Sequence, residues 1–253
     1  MFVLKFLSYL RILILIPAIV VWTAVWSIFT SVSLFVLKGE TVLWILCRVW
    51  ADPLLWLSGV DLEVRGQENM PADRGGLCVF NHTSHYDIMV MFAGLPRVLY
   101  FGAKAELFSV PFFGRAMKRL GVLRIERNNR SKVIQTYRDA EARVARGELF
   151  ALAPEGTRQK GRGQLGEFKS GPFFFAVNAR MPIIPIVMAG CEVVLPKHSL
   201  LPNWGRWSTK VILQILPPIM PESESEEEVP RLKEKTRQAM AGALASLWAN
   251  YPN

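Results

Sequence analysis

Apolar residues follow three different rhythms along this chain. Residues 12–37 run for twenty-six positions without a charge and are rich in Ile, Val, Leu, Phe and Trp. That is too long for the apolar stretch of a signal peptide, and as one helix it measures about 39 Å. A bilayer's hydrocarbon core is only roughly 30 Å thick, so such a helix would tilt or leave Pro17 outside. After Lys38-Gly39-Glu40 a second apolar stretch, residues 41–60, is broken by Arg48 and Asp52, charges that oppose another full span. Trp44, Trp50 and Trp56 suit the headgroup region. The pattern predicts an N-terminal two-helix element, residues 1–60, whose second helix lies at the membrane interface; a single true span is the alternative.

Beyond residue 60 short β-rich runs alternate with helical ones, the pattern of an α/β layer fold. Strands are predicted at residues 62–64, 77–80, 98–101, 122–125, 149–153, 183–188 and 211–216. An exposed amphipathic helix is predicted over 131–146, ended by Gly147, and a more buried one over 168–179. A third, over 230–248, follows Glu226-Glu227-Glu228, a run that suits a helix N-terminus and reads as a solvated cap rather than a site. No linker or internal repeat divides the rest of the 253 residues, so 61–253 reads as one domain.

Charge narrows the function. The formal net charge is +9, and residues 97–180 hold seventeen Lys or Arg against seven Asp or Glu. Nucleic acid, acidic lipid headgroups and phosphorylated substrates all answer such a surface. On a chain fixed to a bilayer the charge points to lipid headgroups and polar lipid substrates, and nucleic acid drops out. Cys47, Cys78 and Cys191 sit in apolar surroundings without C-x-x-C spacing, and read as reduced packing residues of a cytosol-facing protein.

The candidate chemistry lies in Asn81-His82-Thr83-Ser84-His85-Tyr86-Asp87, directly after the apolar run Leu77-Cys78-Val79-Phe80. Neutral imidazole can take a proton from an alcohol attacking a carbonyl, and a carboxylate on the other ring nitrogen fixes the tautomer and stabilises the imidazolium. Residues five apart on a helix lie about 140° around the axis. His82 and Asp87 therefore meet only if the chain bends between them, which places the histidine outside the helix. Ser84 and Asp87 equally satisfy the S-x-x-D capping box, and on spacing alone the two readings stand level. A metal site is not indicated: there are three histidines and no Cys or acidic cluster to complete a ligand set with His82 and His85.

Three further segments in order complete a pattern. Asn81-His82-x-Ser84-x-x-Asp87 resembles the first motif of the 1-acylglycerol-3-phosphate acyltransferases of the bacterial type, within the wider glycerolipid acyltransferase family. Lys104-Ala105-Glu106-Leu107 with Pro111, Gly114, Gly121 and Ile125-Glu126-Arg127 resembles the second, Pro154-Glu155-Gly156-Thr157-Arg158 the third, and Met181-Pro182-Ile183-Ile184-Pro185-Ile186 the fourth. The match covers roughly residues 60 to 220. Departures are small: Ala153 replaces the usual apolar or aromatic residue, and Glu126 a common Asp.

The resemblance implies a glycerol-3-phosphate acyltransferase-like α/β fold, a mixed sheet covered by helices, with the N-terminal helices seated in one leaflet. It implies acyl transfer from acyl-CoA or acyl carrier protein to the sn-2 hydroxyl of 1-acyl-glycerol-3-phosphate, without a cofactor, by His82 as base and Asp87 as its orienter. Such an enzyme sits on the membrane with its catalytic domain on the cytoplasmic face, the inner membrane in a bacterium. Arg158 suits the acceptor phosphate because a guanidinium donates two parallel hydrogen bonds; Lys104 and Arg127 join it on the family's pattern. Asn81, Ser84, Glu155, Gly156 and Thr157 support the motifs. Pro182 and Pro185 read structurally as marks of an edge strand or strand entrance, and the family ties them to substrate binding. Lys160, Arg162 and Lys169 read equally as a solvated or lipid-facing loop; Phe112, Phe113 and Phe173-Phe174-Phe175 could line an acyl channel, but aromatics at helical spacing are more often core. No G-x-S-x-G elbow is present, so direct attack by the acceptor alcohol is simpler than an acyl-enzyme, and Ser84 and Cys78 are not nucleophiles. The same motifs would serve glycerol-3-phosphate, another lysophospholipid or a lyso-ornithine lipid as acceptor, and a non-catalytic membrane-surface protein is the alternative of another class.

Overall fold

The computed structural model describes residues 2–159 and 162–252. Lys160 lies outside them. Helix α1 spans Phe2–Ser33, beginning a decade before the charge-free run and keeping Pro17 inside. It is followed by α2, Glu40–Leu57. Over Val3–Ser33 it is long and apolar enough to cross a membrane. The two helices are stitched together by indoles: Trp22 donates to the Trp50 carbonyl at 3.1 Å, Trp26 to the Leu46 carbonyl at 2.8 Å, and Trp50 to the Thr23 hydroxyl at 3.2 Å. Trp44 donates to the Leu95 carbonyl. Of the three tryptophans expected at the headgroups, only Trp56 stands exposed, because a buried indole N–H finds a partner.

The described residues build a seven-stranded mixed sheet in the order β1-β7-β6-β2-β5-β3-β4: β1 Val60–Arg65, β2 Gly76–Phe80, β3 Leu99–Lys104, β4 Leu123–Ile125, β5 Leu149–Leu152, β6 Ile183–Ala189 and β7 Thr209–Ile215. All neighbours are parallel except β6 and β7. Every predicted strand is present, to within two residues at each end except that β3 runs three residues beyond its predicted end. The central strands β2, β5 and β6 are buried throughout, which is why they read as continuous apolar runs. On one face pack α5 (Arg130–Val144), α6 (Gly171–Asn178) and α8 (Glu228–Ala249). On the other lie α2, α3 (Tyr86–Gly94) and the single turn α7 (Cys191–Val194).

Two expectations need correction, and one helix was not expected. Pro185 is not on an edge: β6 lies between β7 and β2. Its missing N–H faces the point where the neighbouring chain bulges through Pro217-Pro218, between the Ile183–Ile219 bridge and the bond from the Leu216 N–H to the Pro185 carbonyl at 2.8 Å, so no ladder bond is lost. Pro182 does stand at the strand entrance, its carbonyl accepting from the Leu77 N–H at 2.9 Å. The acidic run is not simply solvated: Glu228 opens α8, buried, with its carboxylate on Arg231 at 2.7 Å. The sequence also left α4, Phe113–Arg119, unrecognised. It starts from Phe112 at φ 61°, and Gly114 is required because any Cβ would strike the Phe108 carbonyl.

Helix α1 is tied to the α/β domain near both ends. Arg11 forks onto the Trp207 and Arg206 carbonyls at 2.6 and 3.0 Å, while Arg119 of α4 donates to the Ser31 carbonyl and lies over the Phe35 ring. The helix between these ties runs along the domain.

Candidate active site

The ends of β2, β3, β4, β5 and β6 point the same way, the usual place for ligands on parallel strands; the first three sequence motifs leave from β2, from β3 and β4, and from β5, whereas the fourth, residues 181–186, enters β6 at its opposite end. Just past β2, the buried Asn81 amide continues the sheet: it donates to the Met188 carbonyl at 2.9 Å and accepts from the Met188 N–H at 2.8 Å. This bridge holds the ends of β2 and β6 together and fixes the point from which the next residue departs.

That residue is His82, and the chain bends where the spacing requires. Residues 81–84 are irregular and α3 starts at Tyr86. His82 Nδ1 lies 2.7 Å from Asp87 Oδ2. The same oxygen accepts the Thr83 and Ser84 N–H groups at 2.8 and 3.0 Å, and Asp87 is fully buried. The carboxylate thus makes the reach-back half of a capping box and orients the imidazole at once. The other half is absent: the Ser84 hydroxyl donates to the Leu195 carbonyl at 2.9 Å and accepts the Tyr86 N–H at 3.2 Å. With Nδ1 committed to Asp87, Nε2 is the nitrogen left for proton transfer.

The turn after β5 braces the histidine's backbone. Glu155 is buried, its Oε1 accepting the His82 N–H at 3.0 Å and Oε2 the Gly166 N–H at 2.7 Å, and the Gln159 N–H reaches the His82 carbonyl at 2.7 Å. Burial holds the Glu155 carboxyl above its usual value, against these two bonds. Gly156 takes φ 68°, a left-handed turn open to glycine, and Lys169 crosses directly over it. Thr157 is exposed.

A cavity of about 590 Å³ opens beside His82. Phe80, Ile88, Ile125, Val133, Leu152 and Phe174 supply apolar wall, while Arg127, Arg130 and Lys169 add cationic groups. Arg127 also donates to the Gly156 carbonyl. The structure therefore brings His82, Asp87, Gly156 and Arg127 together. Lys104 stands apart from this lining, half exposed in an ion pair with Glu106 at 2.9 Å. Arg158 lies on the His85 side: with desolvation as the larger cause, its charge lowers the His85 imidazole below its ordinary value. Arg158 Nη1 is buried without a hydrogen-bond partner among the described residues.

Sequence reasoning did not single out Arg130, read Glu226 as part of a solvated cap and left Lys169 undecided, yet all three are in the lining; their approach to His82 is a product of helix packing that no local spacing records. Of the phenylalanines read as core, Phe173 and Phe175 are fully buried and Phe174 faces the cavity, whereas Phe112 is half exposed. Burial raises the Cys78 thiol to about 12, and Ser84 has no exposed surface, so neither is placed to attack a substrate. Behind the pair lies Glu192, lifted by burial to about 7, with its Oε2 accepting the Gly190 N–H at 3.2 Å and the Thr83 hydroxyl at 3.4 Å.

Known proteins resemble this chain in sequence and in fold. A family model described as Acyltransferase matches residues 61–189. The chain is 28% identical over 246 residues to the 1-acyl-sn-glycerol-3-phosphate acyltransferase of Saccharomyces cerevisiae, covering 96% of this chain and 79% of that protein. It is 30% identical over 201 residues to the enzyme of that name from Haemophilus influenzae, covering 78% and 80%. With 1-acyl-sn-glycerol-3-phosphate acyltransferase alpha of Ovis aries the identity is 32% over 186 residues, 73% of this chain and 63% of the relative. The crystal structure of the 1-acyl-sn-glycerophosphate acyltransferase from Thermotoga maritima superposes with a TM-score of 0.78 at 24% identity, covering 97% of this chain and all of that one, and so shares the fold. By the family match over half its length and by these identities, the chain belongs to the acyltransferase family.

Proposed function

We propose that this protein is a membrane-attached 1-acylglycerol-3-phosphate O-acyltransferase, with residues 1–60 as its membrane element and 61–253 as its catalytic domain. The observation that carries the reading is the 2.7 Å contact of His82 Nδ1 with the buried Asp87, beside a cavity that is apolar on its walls and cationic at Arg127, Arg130 and Lys169. A lysophosphatidate offers both matching parts, an acyl chain and a phosphate. Its sn-2 hydroxyl gives its proton to His82 Nε2 as the oxygen attacks the thioester carbon of acyl-CoA or acyl carrier protein. Asp87 stabilises the imidazolium that results. Collapse of the tetrahedral intermediate breaks the carbon–sulfur bond, and the thiolate leaves with the proton that His82 held. A thioester carbon is already electrophilic, so deprotonation and positioning are the protein's main tasks.

The phosphate is bound by Arg127 with Arg158, whose buried Nη1 is a donor without an acceptor among the described residues; Lys104 would join them only by leaving its ion pair with Glu106. The placement of α1 supports attachment to one leaflet, because a helix tied near both ends to one domain cannot deliver its far end across a bilayer. The catalytic domain faces the cytoplasm, in keeping with three free, buried cysteines. The test is purified protein with lysophosphatidic acid and labelled acyl-CoA: phosphatidic acid should form, and His82→Ala should cut the rate by the roughly 10²–10⁴-fold of a lost general base. His85→Ala should do much less. Turnover by folded His82→Ala near that of the parent protein would sink the mechanism.

A further inference from the structure

The segment between α7 and β7, residues 195–208, presents large apolar side chains to the outside while its own backbone is fixed. Leu200 is 83% exposed, Trp204 57% and Trp207 47%. This is not a slack loop. Asn203 is fully buried, its N–H on the Val194 carbonyl at 2.7 Å and its amide on the Ser58 carbonyl at 2.7 Å. Arg206 closes a turn onto the Asn203 carbonyl at 2.9 Å. Three apolar groups held outward on a fixed scaffold forgo burial the chain could otherwise gain, which marks an interaction surface.

Two further observations say what meets it. The segment is continuous with α1: Tyr9 packs on Trp204 with ring centroids 4.5 Å apart, and Arg11 lies over Trp207 while its fork holds the Arg206 and Trp207 carbonyls. Residues 193–209 also contain Lys197, His198 and Arg206 and no Asp or Glu. Lys197 and Arg206 make no ion pair among the described residues, although the Lys197 ammonium does donate to the Arg158 carbonyl. Indoles beside cations, with the largely buried Glu192 as the acidic group in the hollow they share, are the composition of a surface that meets an anionic bilayer at headgroup depth.

We propose that residues 195–208 form a second membrane contact, separate from the two N-terminal helices, in which Leu200, Trp204 and Trp207 enter the interface of an anionic leaflet. The contact rests on the reading of α1 as the membrane element. It would seat the domain at two places, α1 with α2 and this segment, and so set the orientation of the domain as well as its attachment. Lys197, joined to the turn that carries Arg158, links the contact to the candidate phosphate group.

Selective labelling tests this, because Cys47, Cys78 and Cys191 are buried. Leu200→Cys, Val20→Cys on exposed α1 and Asp139→Cys on α5, on the opposite face of the sheet, are each labelled with an environment-sensitive fluorophore. They are then reconstituted in vesicles containing phosphatidylglycerol. The label at Leu200→Cys should lose most of its emission to lipid-borne bromine and little to aqueous iodide, as at Val20→Cys, and Asp139→Cys should do the reverse. Iodide reaching Leu200→Cys as freely as Asp139→Cys, with Val20→Cys still quenched from the lipid, overturns the contact and leaves attachment intact. Failure of lipid quenching at Val20→Cys overturns both. Shielding of Leu200→Cys from iodide without lipid quenching means that a second copy of the chain covers it, which also overturns the proposal.

Discussion

Replacing Asp87 by Asn separates orientation of the base from stabilisation of its charge. An asparagine oxygen at the Oδ2 position can still accept from His82, Thr83 and Ser84, so the tautomer is kept. What disappears is the negative charge 2.7 Å from the imidazolium. With an effective dielectric constant of about 20 that attraction is at most about 6 kcal/mol, and at 1.36 kcal/mol per decade it sets a ceiling near 10⁴-fold on the rate. We expect a loss between about 10² and 10⁴. The amide nitrogen would occupy the place of Oδ1, which has no hydrogen-bond partner among the described residues, and an unsatisfied buried donor costs about 1–3 kcal/mol. Release of a buried charge offsets part of that cost, so the variant should fold with a Tm lowered by less than about 10 °C. The assay is initial rate at saturating lysophosphatidic acid and acyl-CoA in mixed micelles, with circular dichroism and Tm on the same preparation. A folded Asp87→Asn within about tenfold of the parent rate would refute the imidazolium-stabilising role.

The remaining expectations concern other parts of the molecule. Burial raises the Glu192 carboxyl from 4.5 to about 7, so the native state keeps a proton that the unfolded chain has lost between those values, and stability falls as pH rises through that window. At about 1.4 kcal/mol per pH unit the loss totals about 3 kcal/mol; Glu192→Gln should therefore gain stability over the parent at pH 8 but not at pH 4.5, and parallel Tm–pH curves would contradict this. Arg158→Lys keeps charge but loses the fork, so it should raise KM for lysophosphatidic acid more than for acyl-CoA; an effect confined to the donor would move Arg158 to the donor's phosphates. A protease-cleavable tag at Met1 should be cut without detergent in sealed vesicles whose catalytic domain faces outward, and protection until detergent is added would mean that α1 crosses the bilayer. High salt and alkaline carbonate should both leave the protein on the membrane.

The strands were legible because buried parallel strands need unbroken apolar runs and the glycines and prolines between them mark their ends. The departure of His82 from α3 was legible too, since helical geometry forbids contact at a spacing of five. What stayed hidden depends on partners distant in sequence. Pro185 is tolerated inside the sheet only because Pro217-Pro218 bulges away opposite it, so a strand-edge signal misled. Trp44 and Trp50 have the composition of headgroup anchors, but Leu95 and Thr23 satisfy their N–H groups inside the protein. Lys169 reaches the cavity because the Lys169 N–H bonds the Pro154 carbonyl at 2.9 Å and the Gly156 turn leaves room for its side chain, a route that begins fifteen residues before it. Lys104, read with Arg127 from the same motif, turns instead to its neighbour Glu106.

The two ties of α1 have a mechanical consequence. Arg11 and Ser31 are twenty residues apart, about 30 Å along a helix. A transmembrane helix answers a thicker or thinner bilayer by changing its tilt. A helix strapped along a domain over that length has no independent tilt to change, so the height of His82 above the lipid is set by the protein as a rigid body. Activity should then be indifferent to acyl-chain length in the surrounding host lipid and responsive to its surface charge, the behaviour of a float moored at the surface rather than of a rod through it.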